Sequence, residues 1–175
     1  MSIRPGWFYH PAQDDAVRSE DNLVELYFTS VGRNAKLLLN VPPTRDGLLH
    51  ETDVARLLGF HRRLERMRAS SVALTPSSWR RTGDRTAVGE WSLGSPSAPS
   101  VVRLGEPIAS GQRVSRYTLE GQGAHGWQPL GGGTTIGHCR LQRSESVAPI
   151  RQLRLRVEDA VAPPEPISVE VYTAV

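Results

Sequence analysis

A short apolar run, Leu37-Leu38-Leu39-Asn40-Val41, constrains the fold of this chain more than any other stretch. The run has no polar alternation, which is typical of a strand that is covered on both faces, as in a parallel sheet with helices on both sides. Two prolines, Pro42-Pro43, follow it and end the strand. We therefore predict one buried strand over residues 37–41.

Helical patterns flank this strand on both sides. Upstream, apolar residues recur at helical spacing over residues 21–31, with Ser19 or Asp21 able to cap the start and Gly32 placed to end the helix. Downstream, residues 52–68 predict a second helix with an arginine-rich exposed face. The residues that we expect this second helix to bury are Val54, Leu57, Leu58, Leu64 and Met67.

The helix-strand-helix order belongs to an α/β fold, but these three elements are too few to stand alone. One strand between two helices cannot form a sheet, and a parallel sheet with helices on both faces needs several such units. Either this interpretation is wrong, or the chain is the end of something larger.

The sequence changes character near residue 70, and we predict a domain boundary there, with residues 1–69 before it and residues 70–175 after it. Short apolar or alternating runs, separated by Gly and Pro, replace the helical period. Leu153 and Leu155 alternate with Arg154, so one face of that strand is expected to be buried. Such strands favour an all-β sandwich. The candidate strands are Val101–Leu104, Val114–Glu120, Thr134–Arg143, Gln152–Val157 and Ile167–Tyr172.

Two patterns in the chain resemble chemical motifs but do not meet their requirements. The run Gly131-Gly132-Gly133 opens a strand pattern and no Lys follows it, so we predict a turn rather than a phosphate-binding loop. The closest histidine pairs are eleven and thirteen residues apart, which is not a metal-ligand spacing. We therefore expect neither a phosphate-binding loop nor a metal site at these positions.

Composition argues against nucleic-acid and membrane partners. The chain has an isoelectric point near 9.5, but its 20 Arg and single Lys36 are spread among 18 acidic residues, a ratio typical of a GC-rich bacterial genome rather than of a phosphate-binding surface. No apolar run reaches the roughly 20 residues of a membrane span. The N-terminus lacks the apolar region of a signal peptide, so we expect the chain as given to stay in the cytoplasm.

The opening segment, Ser2 to His10, is unusually aromatic. Trp7, Phe8 and Tyr9 follow an Arg4-Pro5-Gly6 turn in a chain that is only 6% aromatic. Aromatic side chains beside an Arg can form a wall that binds a sugar or another planar apolar face. They can equally plug a hydrophobic core, and the residues alone leave both interpretations open.

Several motifs, taken together, resemble the α-L-fucosidase family. The first half resembles the C-terminal end of the catalytic barrel of these enzymes, and the second half resembles the β-sandwich that follows the barrel. The resemblance therefore predicts an α/β remnant of a (β/α)8-like barrel followed by an all-β sandwich. It covers nearly the whole chain, but only about the last third of the family's length. The motifs in the first half are Ser2–His10, Ser30–Ala35, Leu37–Pro43 and Gly47–Val54, and those in the second half are Glu106–Ile108, Gly111–Val114, Trp127, Gly133–Gly137 and Arg154–Arg156.

The resemblance implies a retaining glycoside hydrolase that acts on fucosylated glycans without a metal or organic cofactor. Such a site needs an Asp nucleophile and a Glu acid/base with carboxyl groups about 5 to 5.5 Å apart. Both family positions lie upstream of the Ser-Ile-Arg-Pro-Gly-Trp motif, so we expect both catalytic carboxylates to be missing from this chain. In the complete enzyme, Arg4 and Trp7 would lie near the sugar, with Trp7 as a stacking wall.

The resemblance also bears on the start of the chain. Met1 stands where family members commonly have Val, which predicts either an internal codon read as a start or the remnant of a split gene. Any signal peptide of a secreted parent enzyme would lie upstream.

Two other functions stay open on the sequence. The β-sandwich could be a stand-alone carbohydrate-binding module that holds a glycan on Trp79, Trp91 or Trp127 without hydrolysing it, although these side chains could instead pack between barrel and sandwich. Alternatively, the chain could be a non-functional remnant whose exposed barrel strands aggregate or need a partner chain that carries the rest of the barrel.

Overall fold

The computed structural model describes residues 1–146 and 148–175 and contains two α-helices near the predicted positions. Helix α1 spans Glu20–Thr29 and helix α2 spans Glu51–Ala69. The hydroxyl of Ser19 caps α1, as predicted, by accepting a hydrogen bond from the backbone N–H of Asn22 at 3.2 Å. Within the described residues, neither helix is long and apolar enough to cross a membrane.

The buried face of α2 differs from the prediction. Of the predicted residues, Leu64 and Met67 are buried and Leu57 is half-buried, whereas Val54 and Leu58 are exposed. Val54 and Leu58 are 36% and 52% exposed, so predicting their burial was wrong. The cause is Asp53, which is fully buried and turns the first turn of α2 toward the N-terminal segment. Neighbouring positions on a helix lie about 100° apart, so Val54 is rotated away from that side.

Nine strands follow in the described residues, and all their pairings are antiparallel. They form a four-stranded sheet of order β1-β9-β4-β7 and a five-stranded sheet of order β2-β3-β8-β5-β6. The prediction of a β-rich second half is therefore confirmed. The strands are β1 (Ser71–Val72), β2 (Leu74–Arg81), β3 (Ala87–Ser97), β4 (Val101–Gly105), β5 (Val114–Gly123), β6 (Gly126–Gly133), β7 (Arg140–Arg143), β8 (Ile150–Ala160) and β9 (Ser168–Tyr172).

The main hydrophobic core is shared by the two sheets. Leu104 of β4 comes from the four-stranded sheet, and Leu119 of β5 with Leu153 and Leu155 of β8 come from the five-stranded sheet. The two leucines of β8 have no exposed surface, whereas Arg154 between them lies on the outer face, as the alternation predicts. This arrangement is compatible with the predicted β-sandwich.

A second hydrophobic cluster joins the helices to the four-stranded sheet. Phe28 of α1 and Met67 of α2 pack with Val101 of β4, Leu141 of β7 and Tyr172 of β9. Burial of these side chains removes apolar surface from water on both sides of residue 70. The proposed division into residues 1–69 and 70–175 stays a prediction, and these contacts make the two parts depend on each other.

The predicted strand at residues 37–41 is not formed as a strand of a sheet. Within this run only Asn40 makes a bridge, which is parallel and pairs it with Ser2. The N–H of Ile3 donates to the carbonyl oxygen of Asn40 at 2.9 Å, and the N–H of Asn40 donates to that of Met1 at 2.8 Å. Leu38 is 80% exposed, so the predicted cover on both faces is wrong for this chain. Because two strand segments without further neighbours are only marginally stable, the pairing stays short. The expected piece of a barrel is therefore not confirmed.

Four strands, β1, β2, β3 and β6, were not among the predicted strands. Gly131–Gly133 belong to β6, so predicting a turn there was wrong. Glycine is needed at two of these positions. Gly131 has φ 134, which side chains rarely adopt, and a Cβ on Gly132 would lie 2.7 Å from the backbone oxygen of Tyr117 on β5.

Candidate functional site

The loop from Arg4 to His10, which we call the aromatic loop, begins at a buried ion pair. The Arg4 side chain has no exposed surface, and its Nε donates to Oδ2 of Asp53 at 2.8 Å. Its Nη1 donates to Oδ1 of Asp14 at 2.7 Å. One arginine therefore ties the loop to the first turn of α2 and to the short 3-10 helix Pro11–Ala16.

The charges of this ion pair are stabilised, but two of its polar atoms have no hydrogen-bond partner in the described residues. Burial alone would lower the pKa of Arg4, but the hydrogen bonds to Asp53 and Asp14 outweigh it and raise the pKa above its ordinary value. Among the described residues, Nη2 of Arg4 and Oδ1 of Asp53 are buried without a hydrogen-bond partner. Unsatisfied buried polar atoms are costly, so the two hydrogen bonds of Arg4 are offset in part by these two atoms.

Tyr9 fastens the other end of the aromatic loop. Its ring centroid lies 4.8 Å from Cζ of Arg4 and 5.9 Å from the ring of His50. Its hydroxyl lies 3.5 Å from Oδ2 of Asp14. Burial and the nearby Asp14 carboxylate raise the pKa of the Tyr9 phenol, so Tyr9 stays neutral at neutral pH.

His50 links this network to the start of α2. Its Nδ1 accepts a hydrogen bond from the backbone N–H of Thr52 at 3.3 Å and caps the helix. Its Nε2 lies 3.3 Å from Oδ2 of Asp14. Because Nδ1 is an acceptor, Nε2 carries the proton and points it at the carboxylate.

Two aromatic side chains project from this fastened loop into solvent. Trp7 is 56% exposed and Phe8 is 74% exposed. A half-exposed indole on an ordered loop can stack on the C–H face of a sugar ring. Both predicted site residues lie on this loop, with the Trp7 side chain exposed and the Arg4 side chain buried.

The exposed apolar side chains are concentrated in the first third of the chain. Of the ten large ones in the described residues, eight lie between residues 1 and 58. Scattered exposed apolar side chains are normal, whereas a large contiguous set of them marks a surface that another group covers. We call this set the apolar face, and its members are Met1, Trp7, Phe8, Leu38, Leu48, Leu49, Val54 and Leu58.

The tryptophans of the sandwich are less available to a ligand. Trp91 is 6% exposed, and a Cβ on Gly89 would collide with both Trp79 and Trp91, so these two indoles meet across the glycine. Trp127 is half-buried, and Cζ of Arg154 lies 3.6 Å from its ring centroid. A carbohydrate-binding module would therefore depend on Trp127 more than on Trp91.

A groove of about 1080 Å³ lies between the helices and the four-stranded sheet. Its lining includes Lys36, Arg103 and Tyr172, and the sequence patterns did not indicate it because its residues are scattered along the chain. Nη1 of Arg103 pairs with Glu170 at 2.5 Å. Burial and a hydrogen bond to Glu170 raise the pKa of Tyr172.

The described residues offer no metal centre. In residues 1–146 and 148–175, no group of three or more His, Cys, Asp or Glu side chains could hold a metal ion. The chemistry that the aromatic loop can perform by itself is binding and orientation of a ligand.

Comparisons with known proteins point to one family. The model of the α-L-fucosidase family matches residues 1–67. The chain is 32% identical over 195 aligned residues to α-L-fucosidase 1 of Arabidopsis thaliana, and the match covers 94% of this chain but 38% of that protein.

Solved structures agree over almost the whole chain. A GH29 fucosidase of Ruminococcus gnavus in complex with fucose superposes with a TM-score of 0.84 at 25% identity, over 99% of this chain and 40% of that chain. A glycoside hydrolase 29 family member from an unknown rumen bacterium superposes with a TM-score of 0.78 at 33% identity, over 99% of this chain and 32% of that chain. These comparisons therefore support a fragment related to the α-L-fucosidase family, and the chain spans well under half the length of these relatives.

Proposed function

We propose that this chain is the C-terminal portion of an α-L-fucosidase that hydrolyses α-L-fucosyl linkages in glycans by a retaining mechanism. The single observation that carries the proposal is the aromatic loop, which exposes Trp7 and is held at Arg4 by a buried ion pair. Support also comes from the R. gnavus relative, which was solved in complex with fucose and superposes over 99% of the present chain. The substrate class is a fucosylated glycan.

We infer that the two catalytic carboxylates are contributed by polypeptide outside this chain. In a retaining site one carboxylate must be free to attack the anomeric carbon, and a second must protonate the leaving oxygen. The carboxylates nearest the aromatic loop, Asp14 and Asp53, are both bound to Arg4 at 2.7 and 2.8 Å. Their engagement supports the view that neither is the nucleophile, so the chain alone is expected to be inactive.

The partner that we propose for the apolar face is the remaining N-terminal portion of the barrel. The length that the relatives have beyond this chain is sufficient to supply it, since a barrel takes about 250 residues. The backbone N–H and C=O of Leu39 have no hydrogen-bond partner in the described part of the chain, so this edge can accept another strand. Leu38, 80% exposed, would be covered by the same addition.

Within the assembled site, we propose that Trp7 is the wall against which the sugar stacks. The Arg4 side chain is fully buried and paired with Asp53 and Asp14, so its proposed part is to position the loop that carries Trp7. Trp7 would thus contribute contact area, and Arg4 would hold the loop in place.

The test is trans-complementation. The purified chain is mixed with the upstream part of a family member, and hydrolysis of an aryl α-L-fucoside is measured together with co-elution of the two polypeptides. We expect activity in the mixture, and we expect Trp7→Ala to raise KM by about tenfold, equivalent to about 1.4 kcal/mol. Trp127→Ala in the sandwich is the matched control and should leave KM unchanged. Co-elution without turnover, or equal effects of the two variants, would contradict the proposal.

The carbohydrate-binding module stays the second candidate, and the half-buried Trp127 is the observation that favours it. The same two variants separate the candidates. Glycan binding by the whole chain that is lost in Trp127→Ala and kept in Trp7→Ala would favour the module.

A further inference from the structure

We propose that Asn40 is a positioning residue that holds Trp7 in place through its main chain. The side-chain Nδ2 of Asn40 donates to the carbonyl oxygen of Trp7 at 2.8 Å. The same Nδ2 lies 3.2 Å from Oγ of Ser2. Asn40 is 33 residues away from Trp7 in the sequence, so this contact fixes the loop from outside its own segment.

Ser2 connects these hydrogen bonds of Asn40, which we call the Asn40 clamp, to the turn before Trp7. Its hydroxyl donates to the carbonyl oxygen of Gly6 at 2.9 Å, and it accepts from the N–H of Arg4 at 3.4 Å. Ser2 and Asn40 are also the two residues that form the parallel bridge. The pairing of the two N-terminal segments and the placement of Trp7 are therefore one structural unit.

The chemistry of the contact explains why an amide is required at position 40. A carbonyl oxygen only accepts hydrogen bonds, so the atom that faces Trp7 O must be a donor. An Asp at this position has the same shape but would place a carboxylate oxygen against that carbonyl. Asn40→Asp therefore removes the hydrogen bond and replaces it with repulsion, without a change in side-chain volume.

This inference rests on the proposed function, because holding the Trp7 side chain in position aids binding only if a sugar stacks on it. A loop that is ordered before the ligand arrives does not lose conformational entropy on binding. The aromatic loop is ordered at its start by Arg4 and at its end by Tyr9, and Asn40 holds its centre. Without Asn40, the exposed Trp7 would be the least fastened part of the loop.

The test reads the environment of Trp7 directly and needs no sugar. The whole chain is labelled with fluorotryptophan, the four indole signals are recorded by fluorine NMR, and Trp7→Phe assigns the signal of Trp7. Asn40→Asp is compared with Asn34→Asp, a matched variant that also removes an Nδ2 donor from a main-chain carbonyl, that of Ile136 at 2.9 Å. Thermal melting is measured for both variants.

We expect Asn40→Asp to shift and broaden the Trp7 signal while Trp79, Trp91 and Trp127 keep theirs. Asn34→Asp should lower the melting temperature but leave the Trp7 signal in place. An unchanged Trp7 signal in Asn40→Asp, or the same change in both variants, would overturn the proposal. Because no sugar is present, this result is independent of whether the trans-complementation test succeeds.

Discussion

Asn34 donates its side-chain amide to the carbonyl oxygen of Ile136, 102 residues further along the chain, at 2.9 Å. Its Oδ1 accepts from the N–H of Cys139 at 2.8 Å, so one side chain bridges the loop after α1 and the segment before β7. Asn34 has φ 67, in the left-handed region that asparagine tolerates better than most residues. The contact fastens the helical part of the molecule to the four-stranded sheet.

The Asn34 contact predicts an order among substitutions. Asn34→Gly loses the two hydrogen bonds but fits the left-handed backbone, and it should lower the free energy of unfolding by about 1–3 kcal/mol. Asn34→Ala loses the same bonds and adds backbone strain, so it should lower the free energy by about 1 kcal/mol more. Urea unfolding of the two variants and the parent chain measures the difference. Equal stability of the Ala and Gly variants would show that the backbone conformation is not under strain.

The cluster that joins helices and sheet predicts that Phe28 protects Cys139. Phe28 is 5% exposed and Cys139 is 9% exposed, and both belong to this cluster. Phe28→Ala should lower the free energy of unfolding by about 3–5 kcal/mol and speed the reaction of the Cys139 thiol with a labelling reagent. Phe8→Ala is the matched control, because Phe8 is 74% exposed and should change neither quantity. A thiol that reacts equally fast in both variants would argue against the shared cluster.

The buried pair of Arg4 and Asp53 predicts non-additive substitutions. Asp53→Asn leaves a buried guanidinium without one of its carboxylates and should lower the free energy of unfolding by about 3–5 kcal/mol. Arg4→Met leaves a buried carboxylate and should cost a similar amount. The double variant should lose clearly less than the two single losses added together, which a double-mutant cycle measures. Strict additivity would mean that the two charges do not depend on each other.

The tyrosines predict how stability depends on alkaline pH. Burial raises the pKa of Tyr9, Tyr117 and Tyr172, and for Tyr172 the Glu170 carboxylate adds to the effect. The folded chain thus keeps protons that the unfolded chain releases near the ordinary pKa of about 10. The free energy of unfolding is therefore expected to be at its full value below that pH and to fall as pH rises above it.

Spectroscopic titration of tyrosinate checks this expectation, with Tyr172→Phe to identify the Tyr172 contribution. Glu170→Gln removes the negative charge beside the phenol and should move the Tyr172 titration to lower pH. A titration curve that is identical in the parent and in Glu170→Gln would contradict the assigned cause.

Patterns of neighbouring residues correctly predicted those features that depend on contacts within a short stretch of the chain. Ser19 as a helix cap and the alternation of Leu153 with Arg154 depend on neighbouring residues only, and the structure confirms both. The strands β1, β2, β3 and β6 were missed, because their Ser and Gly positions depend on partner strands elsewhere in the sequence. At Gly132, for instance, the limiting atom is the backbone oxygen of Tyr117 on β5.

The candidate site was predictable in composition but not in geometry. The aromatic cluster marked Trp7 as a candidate, yet no local pattern indicated that Asp53 would hold Arg4, since the two residues are 49 positions apart. The burial of Asp53 in turn changed which side of α2 faces inward. The clamp formed by Asn40 was equally invisible, because the apolar run around it predicted a strand position and no side-chain role.

The measurement that tests the account most directly is hydrolysis of an aryl α-L-fucoside by the purified chain alone, with a catalytically competent relative run alongside. The account predicts no turnover above the buffer rate, because Asp14 and Asp53 are bound by Arg4 and the proposed function assigns the catalytic carboxylates to polypeptide outside this chain. Turnover by the chain alone that is abolished by Asp14→Asn would contradict it, since a carboxylate of this chain would then act in catalysis.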